Sequence, residues 1–229
     1  MKLQHVAIIP DGNRRWAKLH GLKAYQGHRK GMDETLEKIL GEARKMNISY
    51  ITAWAASRDN VLKRSKAEVS FLYRLFEEKF KKYLADKEIH ENQVNIKVIG
   101  EWKDFFPKSL QGAIFNLEEA TKDYSKLFLT ILMAYDGKRE MAEAFRKAQA
   151  SGEQIDEGNL KNYLWTKNLP PVDLVIRTGG NPHWSAGFLM WHTSDSEFYF
   201  TETLWPAFSV AEFRKAISEY ESRPRNLGA

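Results

Sequence analysis

A chain of 229 residues with 43% hydrophobic and 28% charged residues has the balance of a globular protein able to bury a sizeable core. It contains no cysteine, which excludes disulfides, thiolate metal sites and thiol redox chemistry, and suits a reducing cytoplasm. The net charge of +5 is too dilute for the basic stripe of a nucleic-acid binder, so no nucleic-acid partner is expected. It suits an anionic small molecule or peripheral contact with an anionic membrane surface.

No apolar run reaches the length of a membrane span, and the best is "LFLTILMAY" (127–135). The opening "MKLQ" leads straight into a strand pattern, so a signal peptide is not expected and the expected location is cytoplasmic.

In chain order, "HVAIIP" (5–10) reads as a strand and is followed at once by "DGNRRWAK". Asp-Gly and Asn are ordinary turn residues, so a plain turn is one reading of this segment. A carboxylate, a flexible backbone and two guanidinium groups together also suit a phosphate and a metal ion. Met32, Leu36, Ile39, Leu40 and Ala43 keep one face of a helix before the strand "YITAWAA" (50–56). Val69, Leu72, Leu75, Phe76, Phe80 and Tyr83 form a broad apolar stripe before "VNIKVIG" (94–100). Ala113, Leu117 and Ala120 precede "LFLTILMAY"; "VDLVIRT" (172–178) and a weaker sixth run, "FLMWH" (188–192), complete the strand readings. The runs are nearly continuous in apolar residues, as in strands covered on both faces. The rhythm predicts an α/β fold: an open, mostly parallel six-stranded sheet flanked by helices, as one domain over residues 1–229.

In such sheets ligands bind outside the carboxyl ends of the strands. The first strand is followed there by Asp11, Gly12, Asn13, Arg14 and Arg15, and the second by Ser57, Arg58, Asp59, Asn60, Lys63 and Arg64. The fifth is followed by Thr178, Gly179, Gly180, His183 and Ser185, with Arg177 at its end. If the sheet is parallel, these clusters share one rim. Arginine forks match phosphate oxygens. Mg²⁺ needs only one or two protein carboxylates beside water and substrate phosphate, so Asp11 with one helper suffices. The stripe at 69–83 is a core face on its simplest reading. Its bulky groups on several faces (Phe71, Tyr73, Phe76, Phe80, Tyr83) also suit the wall of an apolar cavity. An anionic head site beside such a cavity fits an isoprenoid diphosphate.

The motifs "HVAIIPDGNRRWAK", "GHRKG", "SRDN", "RSKAEV", "VDLVIRTGG", "SEFYFTETLWPAF" and "RPRNLG" stand in an order that resembles the cis-prenyltransferases, the undecaprenyl diphosphate synthase family, over essentially the whole chain. The resemblance implies a parallel sheet with a hydrophobic tunnel, a homodimer, and condensation of isopentenyl diphosphate with an allylic prenyl diphosphate to a Z-polyprenyl diphosphate. Carried over by position, Asp11 would hold Mg²⁺, and Gly12, Asn13, Arg14 and Arg15 the allylic phosphates, with Trp16 and His28 nearby. Ser57 and Asn60 would act at the homoallylic end, Asn60 as proton acceptor. Arg64, Arg177 and Ser185 would bind isopentenyl diphosphate, and Glu197 would be the second metal ligand, from the partner-subunit region of the site.

The chain departs from the pattern at Asp59 (usually Glu), at Ala24 (usually Arg), after Asn60 (no Trp, one residue longer), and at Asn226. It departs again in "HWSAGF", where His183 stands for an arginine and one extra residue precedes Phe188. The altered isopentenyl side leaves open a relative that condenses its substrates other than head-to-tail. A non-catalytic subunit of a heteromeric synthase is disfavoured by the intact Asp11–Gly12–Asn13 signature, and a nucleotide hydrolase by the lack of a Walker loop.

Overall fold

The computed structural model describes residues 3–223. Among them β1 (His5–Ile9) is followed by α1 (Asn13–Leu19), α2 (Ala24–Lys30), a π-helical turn (Gly31–Thr35) and α3 (Leu36–Lys45). β2 (Tyr50–Ser57) leads into α4 (Arg58–Lys63), α5 (Lys66–Ala85) and α6 (Lys87–Glu91). Then come β3 (Val94–Ile99), α7 (Trp102–Phe105), α8 (Lys108–Thr121), β4 (Leu127–Tyr135) and α9 (Gly137–Ser151). β5 (Leu174–Arg177), β6 (Glu197–Phe200) and α10 (Val210–Ser222) end the series.

The strands lie in the order β3-β4-β2-β1-β5-β6, and every pairing is parallel. Successive side chains of a strand point to opposite faces. Val6 and Ile8 of β1 enter the core that holds Leu40, Phe76, Ile114 and Phe213 from α3, α5, α8 and α10. Ala7 and Ile9 join Trp54, Leu132, Tyr135, Phe188 and Leu189 on the other face. Both faces are covered, which is why these strands read as continuous apolar runs. Chain order reverses at β1, with β2 on one side and β5 on the other, so the ligand crevice of such a sheet lies beyond the ends of these strands.

The sixth strand is not "FLMWH" but Glu197–Phe200, paired with Leu174–Arg177. Residues 188–192 form turns, closed by Met190 N–H to Gly187 O (3.0 Å) and His192 N–H to Leu189 O (2.8 Å). Leu189 sits at φ 47°, outside the extended region. Phe188 and Leu189 are apolar because they fill the core under the sheet, not because they pair with a strand.

Two buried histidines tie β1 and the turn segment to their surroundings. His5 donates from Nδ1 to Pro170 O (3.1 Å), because a carbonyl only accepts, which leaves Nε2 to accept from the Thr52 hydroxyl (2.8 Å). Thr166 gives its hydroxyl proton to Glu140 (2.7 Å), so His192 Nε2 donates to Thr166 (2.9 Å). Burial pushes both imidazoles down to about 4. These folded-state values lie below the unfolded one of about 6.5, so their stabilising effect is complete above that pH and is lost as pH falls from there towards about 4. Urea denaturation at pH 7 and pH 5.5 is expected to show a loss of about 1 kcal/mol per histidine. His5→Gln should flatten that dependence by one histidine's share.

Candidate active site

The carboxyl ends of β1, β2, β4 and β5 open on a cavity of about 800 Å³. Register sets the geometry: Ile9 stands opposite Arg177, and Ser57 opposite Tyr135. Asp11 therefore lies beside the end of β5. Its Oδ2 accepts from Arg177 Nη2 and Asn181 Nδ2, both at 3.3 Å, and its Oδ1 is 3.4 Å from Arg15 Nη2. Its backbone carbonyl accepts from the Thr178 hydroxyl (2.8 Å) and Trp205 N–H (2.9 Å). Gly12 has φ 107°, and a Cβ there would come within 2.7 Å of Leu204, so this turn needs a glycine twice over.

Gly12, Asn13, Arg14, Arg15, Ser57, Asn60, Arg64, Arg177, His183 and Ser185 from the strand ends line the cavity with Asp11, as does His28 from α2, whereas Lys63, Thr178, Gly179 and Gly180 do not. Asn13 donates to Pro10 O (2.9 Å), and its Oδ1 is buried with no hydrogen-bond partner. Ser57 caps α4 by accepting Asn60 N–H (3.0 Å). The Arg177 side chain is only 6% exposed; its Nη1 donates to His183 O (2.9 Å) and to the Ser185 hydroxyl. Burial lowers the pKa of Arg177 and of Arg64 against the pull of nearby carboxylates. Burial, with the adjacent Arg64 and Arg14, pushes His28 down to about 3, so it meets a ligand as neutral imidazole. The first turn of α1 holds no acidic residue, so nothing on it opposes an anion.

Two of the expected residues fall elsewhere. Trp16 does not line the cavity: one turn along α1 it stacks on His20 with centroids 4.1 Å apart and takes Lys30 over its ring. Glu197 opens β6 opposite Leu174, at the amino edge of the sheet, three residues from the level of Arg177, and is 2.8 Å from Arg223 Nη1. It does not share a site with Asp11 of its own chain. Arg58, another strand-end arginine, is drawn off to Glu101 (2.8 Å). The "RPRNLG" positions after Arg223, with Asn226, lie outside the described residues.

Pro10, Asn13, His28 and Ala55 also border a second pocket, walled by Met32, Leu36, Phe76, Phe80, Tyr83 and Ile131. A charged rim with an apolar pocket at its floor has the form expected for a diphosphate bearing a hydrocarbon tail.

The sequence profile of the family described as "Putative undecaprenyl diphosphate synthase" matches residues 9–228. A tritrans,polycis-undecaprenyl-diphosphate synthase (geranylgeranyl-diphosphate specific) of Pyrococcus horikoshii is 40% identical over 98% of this chain and 86% of its own length. An isoprenyl transferase of Rickettsia bellii is 40% identical over 99% of this chain and 98% of its own. Among solved structures, lavandulyl diphosphate synthase from Lavandula x intermedia, in complex with dimethylallyl diphosphate, superposes with a TM-score of 0.92 at 32% identity, covering 100% of this chain and 99% of that one. A probable undecaprenyl diphosphate synthase from Campylobacter jejuni gives 0.81 at 28%, with both chains fully covered. The chain belongs to the cis-prenyltransferase family.

The cis-prenyltransferase carries site residues that the motifs did not single out. Trp54, Asn181, Trp184 and Asp136 line the cavity, and Asp136 is legible as the residue straight after "LFLTILMAY" had the fourth strand end been read with the others. It is the N-cap of α9, accepting Arg139 N–H (3.0 Å). Its neighbour Tyr135 donates to Glu140 (2.5 Å), which also accepts the Thr166 backbone and hydroxyl groups (2.8 and 2.7 Å). Burial raises the Glu140 pKa despite these donors. The extra residue of "HWSAGF" is accommodated by Ala186 (φ 45°) and Gly187 (φ 64°), whose loop accepts Gly137 N–H on Ala186 O (3.1 Å). Asp136→Ala should lower stability by about 1 kcal/mol through loss of the cap. Asp136→Asn should keep the cap, and a change in its turnover would then report the charge; urea melts beside initial rates separate the two.

Proposed function

We propose that this cis-prenyltransferase joins isopentenyl diphosphate to an allylic prenyl diphosphate and releases a Z-polyprenyl diphosphate. The observation that carries this reading is Asp11 set between Arg15 and Arg177 on a rim whose floor continues, past Asn13 and His28, into the apolar pocket.

The residues divide by position. Arg14, Arg15, Asn13 and neutral His28 would hold the allylic diphosphate, whose tail enters between α3 and α5. Arg64, Arg177 and Ser185 would hold the isopentenyl diphosphate, with His183 supporting Ser185 (2.9 Å) in place of a second guanidinium. Guanidinium groups already aimed at the leaving diphosphate stabilise the charge it gains as the carbon–oxygen bond breaks. Ser57 and Asn60, on the same cavity, would serve the step in which the condensed chain loses its proton, with Asn60 accepting it.

Among the described residues no cluster of three metal-ligating side chains occurs, and none is needed: Asp11 offers a hard carboxylate, about a third exposed, beside a phosphate site. Mg²⁺ held there by Asp11 would neutralise the departing diphosphate. Glu197, which stands opposite Leu174 at the amino edge of the sheet, would serve as the expected second ligand from a neighbouring subunit of a homodimer. No described helix is long and apolar enough to cross a membrane, and peripheral contact is the form of membrane association proposed for a lipid product.

A second reading has its own support. The lavandulyl diphosphate synthase superposes more closely than the Campylobacter protein, and the isopentenyl side carries His183 and the inserted residue. Incubation with dimethylallyl diphosphate alone, and with isopentenyl diphosphate added, separates the two. Linear Z-products appearing only with isopentenyl diphosphate support elongation; branched products from dimethylallyl diphosphate alone support the other. Asp11→Ala is expected to lower incorporation of labelled isopentenyl diphosphate at least a hundredfold, on the order of losing one preorganised charge. Turnover near the wild-type rate would remove Asp11 from the mechanism.

A further inference from the structure

The apolar pocket under the rim carries a charge in its wall. Phe76, Lys79, Phe80 and Tyr83 of α5 form one wall, about 10 Å of helix. Lys79 is 3% exposed, and its Nζ lies 2.5 Å from Glu37 Oε1, 3.4 Å from Asp33 Oδ1 and 4.7 Å from the centre of the Tyr83 ring. The acids come from the facing wall, Asp33 from the π-helical turn and Glu37 from α3, and each is about a third exposed. The cluster thus reaches from the pocket out to solvent and stitches α5 to the segment opposite. The cavity left between these walls is about 70 Å³, room for about two waters. A lysine in such a wall is tolerable only when paired.

We propose that Lys79, with Asp33 and Glu37, is the stopper that sets how long a prenyl tail the pocket accepts. The inference rests on the prenyl-transfer reading above and adds the determinant of tail length. An apolar side chain at the end of a pocket yields to a hydrocarbon by changing rotamer. Lys79 cannot yield that way, because a tail pushing past it must separate Nζ from both carboxylates and leave a buried cation against hydrocarbon. The same tail would have to part α5 from the π-helical turn. The wild-type pocket therefore takes short tails, and the product stops where its growing end meets this cluster.

The test compares wild type, Lys79→Met and Lys79→Leu/Glu37→Gln. Each is supplied with isopentenyl diphosphate and, in turn, allylic diphosphates of one to four isoprene units, and the dephosphorylated products are sized by chromatography. Wild type is expected to prefer one- or two-unit primers and to stop short. Lys79→Met should shift kcat/KM towards the four-unit primer by at least about tenfold and lengthen the product. If thermal melting shows that Lys79→Met does not fold, the double variant, which removes the cation and the nearer of its two carboxylates, decides by the same readout. Equal product lengths in wild type and a folded variant overturn the proposal, as does a wild type that uses the four-unit primer as well as the one-unit primer. A wild type that turns over no primer overturns the prenyl-transfer reading, and the stopper with it.

Discussion

The contact between Asp11 and Arg177, across the ends of β1 and β5, is the constraint on which the site depends. Parallel pairing in the Ile9–Arg177 register brings a carboxylate two residues past one strand against a guanidinium at the end of the next. Arg177 is nearly buried, so its charge is tolerable only with such partners: Asp11, the His183 carbonyl and the Ser185 hydroxyl. The Asp11 main chain is held in turn by Thr178 and Trp205, and Gly12 bends it against Leu204. Three segments distant in sequence thus meet on one residue, and a shift of any of them would move the carboxylate.

Around that contact two environments share a boundary. Above it Arg14, Arg15, Arg64 and Arg177 share two carboxylates, Asp11 and Glu68, and a diphosphate meets the positive charge left over. Below it, α5 turns aromatic side chains towards β1, β2 and β4. Asn13 and His28 border both spaces, and each keeps a buried polar atom without a protein partner: Asn13 Oδ1 and His28 Nε2. Such atoms are costly in a finished core and are explained where a ligand's polar head completes them. A neutral His28 suits this boundary, because burial and two nearby arginines remove the proton that would otherwise crowd the site with one more cation.

Much of this was legible in the residues. Apolar runs of strand length, helical stripes between them and the rule that ligands bind at strand ends located Asp11, Ser57, Asn60, Arg64, Arg177 and Ser185 on one rim. The misreadings have physical causes. "FLMWH" is as apolar as a strand because burial, not pairing, demands it, and the left-handed Leu189 that breaks it leaves no mark in composition. "EFYF", the true sixth strand, is short, on the sheet edge and partly exposed, so its pattern is weak. Trp16 shares a motif with Asp11, but the helical turn that begins at Asn13 carries its ring round to His20.

The sequence by itself determined the class of fold, the family and the identities of the groups on the rim, because strand and helix periods and a run of ordered motifs are local properties. Only the tertiary structure decided which of those groups meet. Asp136 enters the cavity because β4 ends beside β2, whereas Glu197 is kept from it because β6 pairs in full register with β5 and Glu197 is its first residue, opposite Leu174. Lys79 reads as one more polar residue on an amphipathic helix, and is a charge that an apolar pocket wall can hold only because α3 and the π-helical turn place Glu37 and Asp33 against it. Contacts between elements far apart in the chain depend on register and packing, which no local pattern encodes.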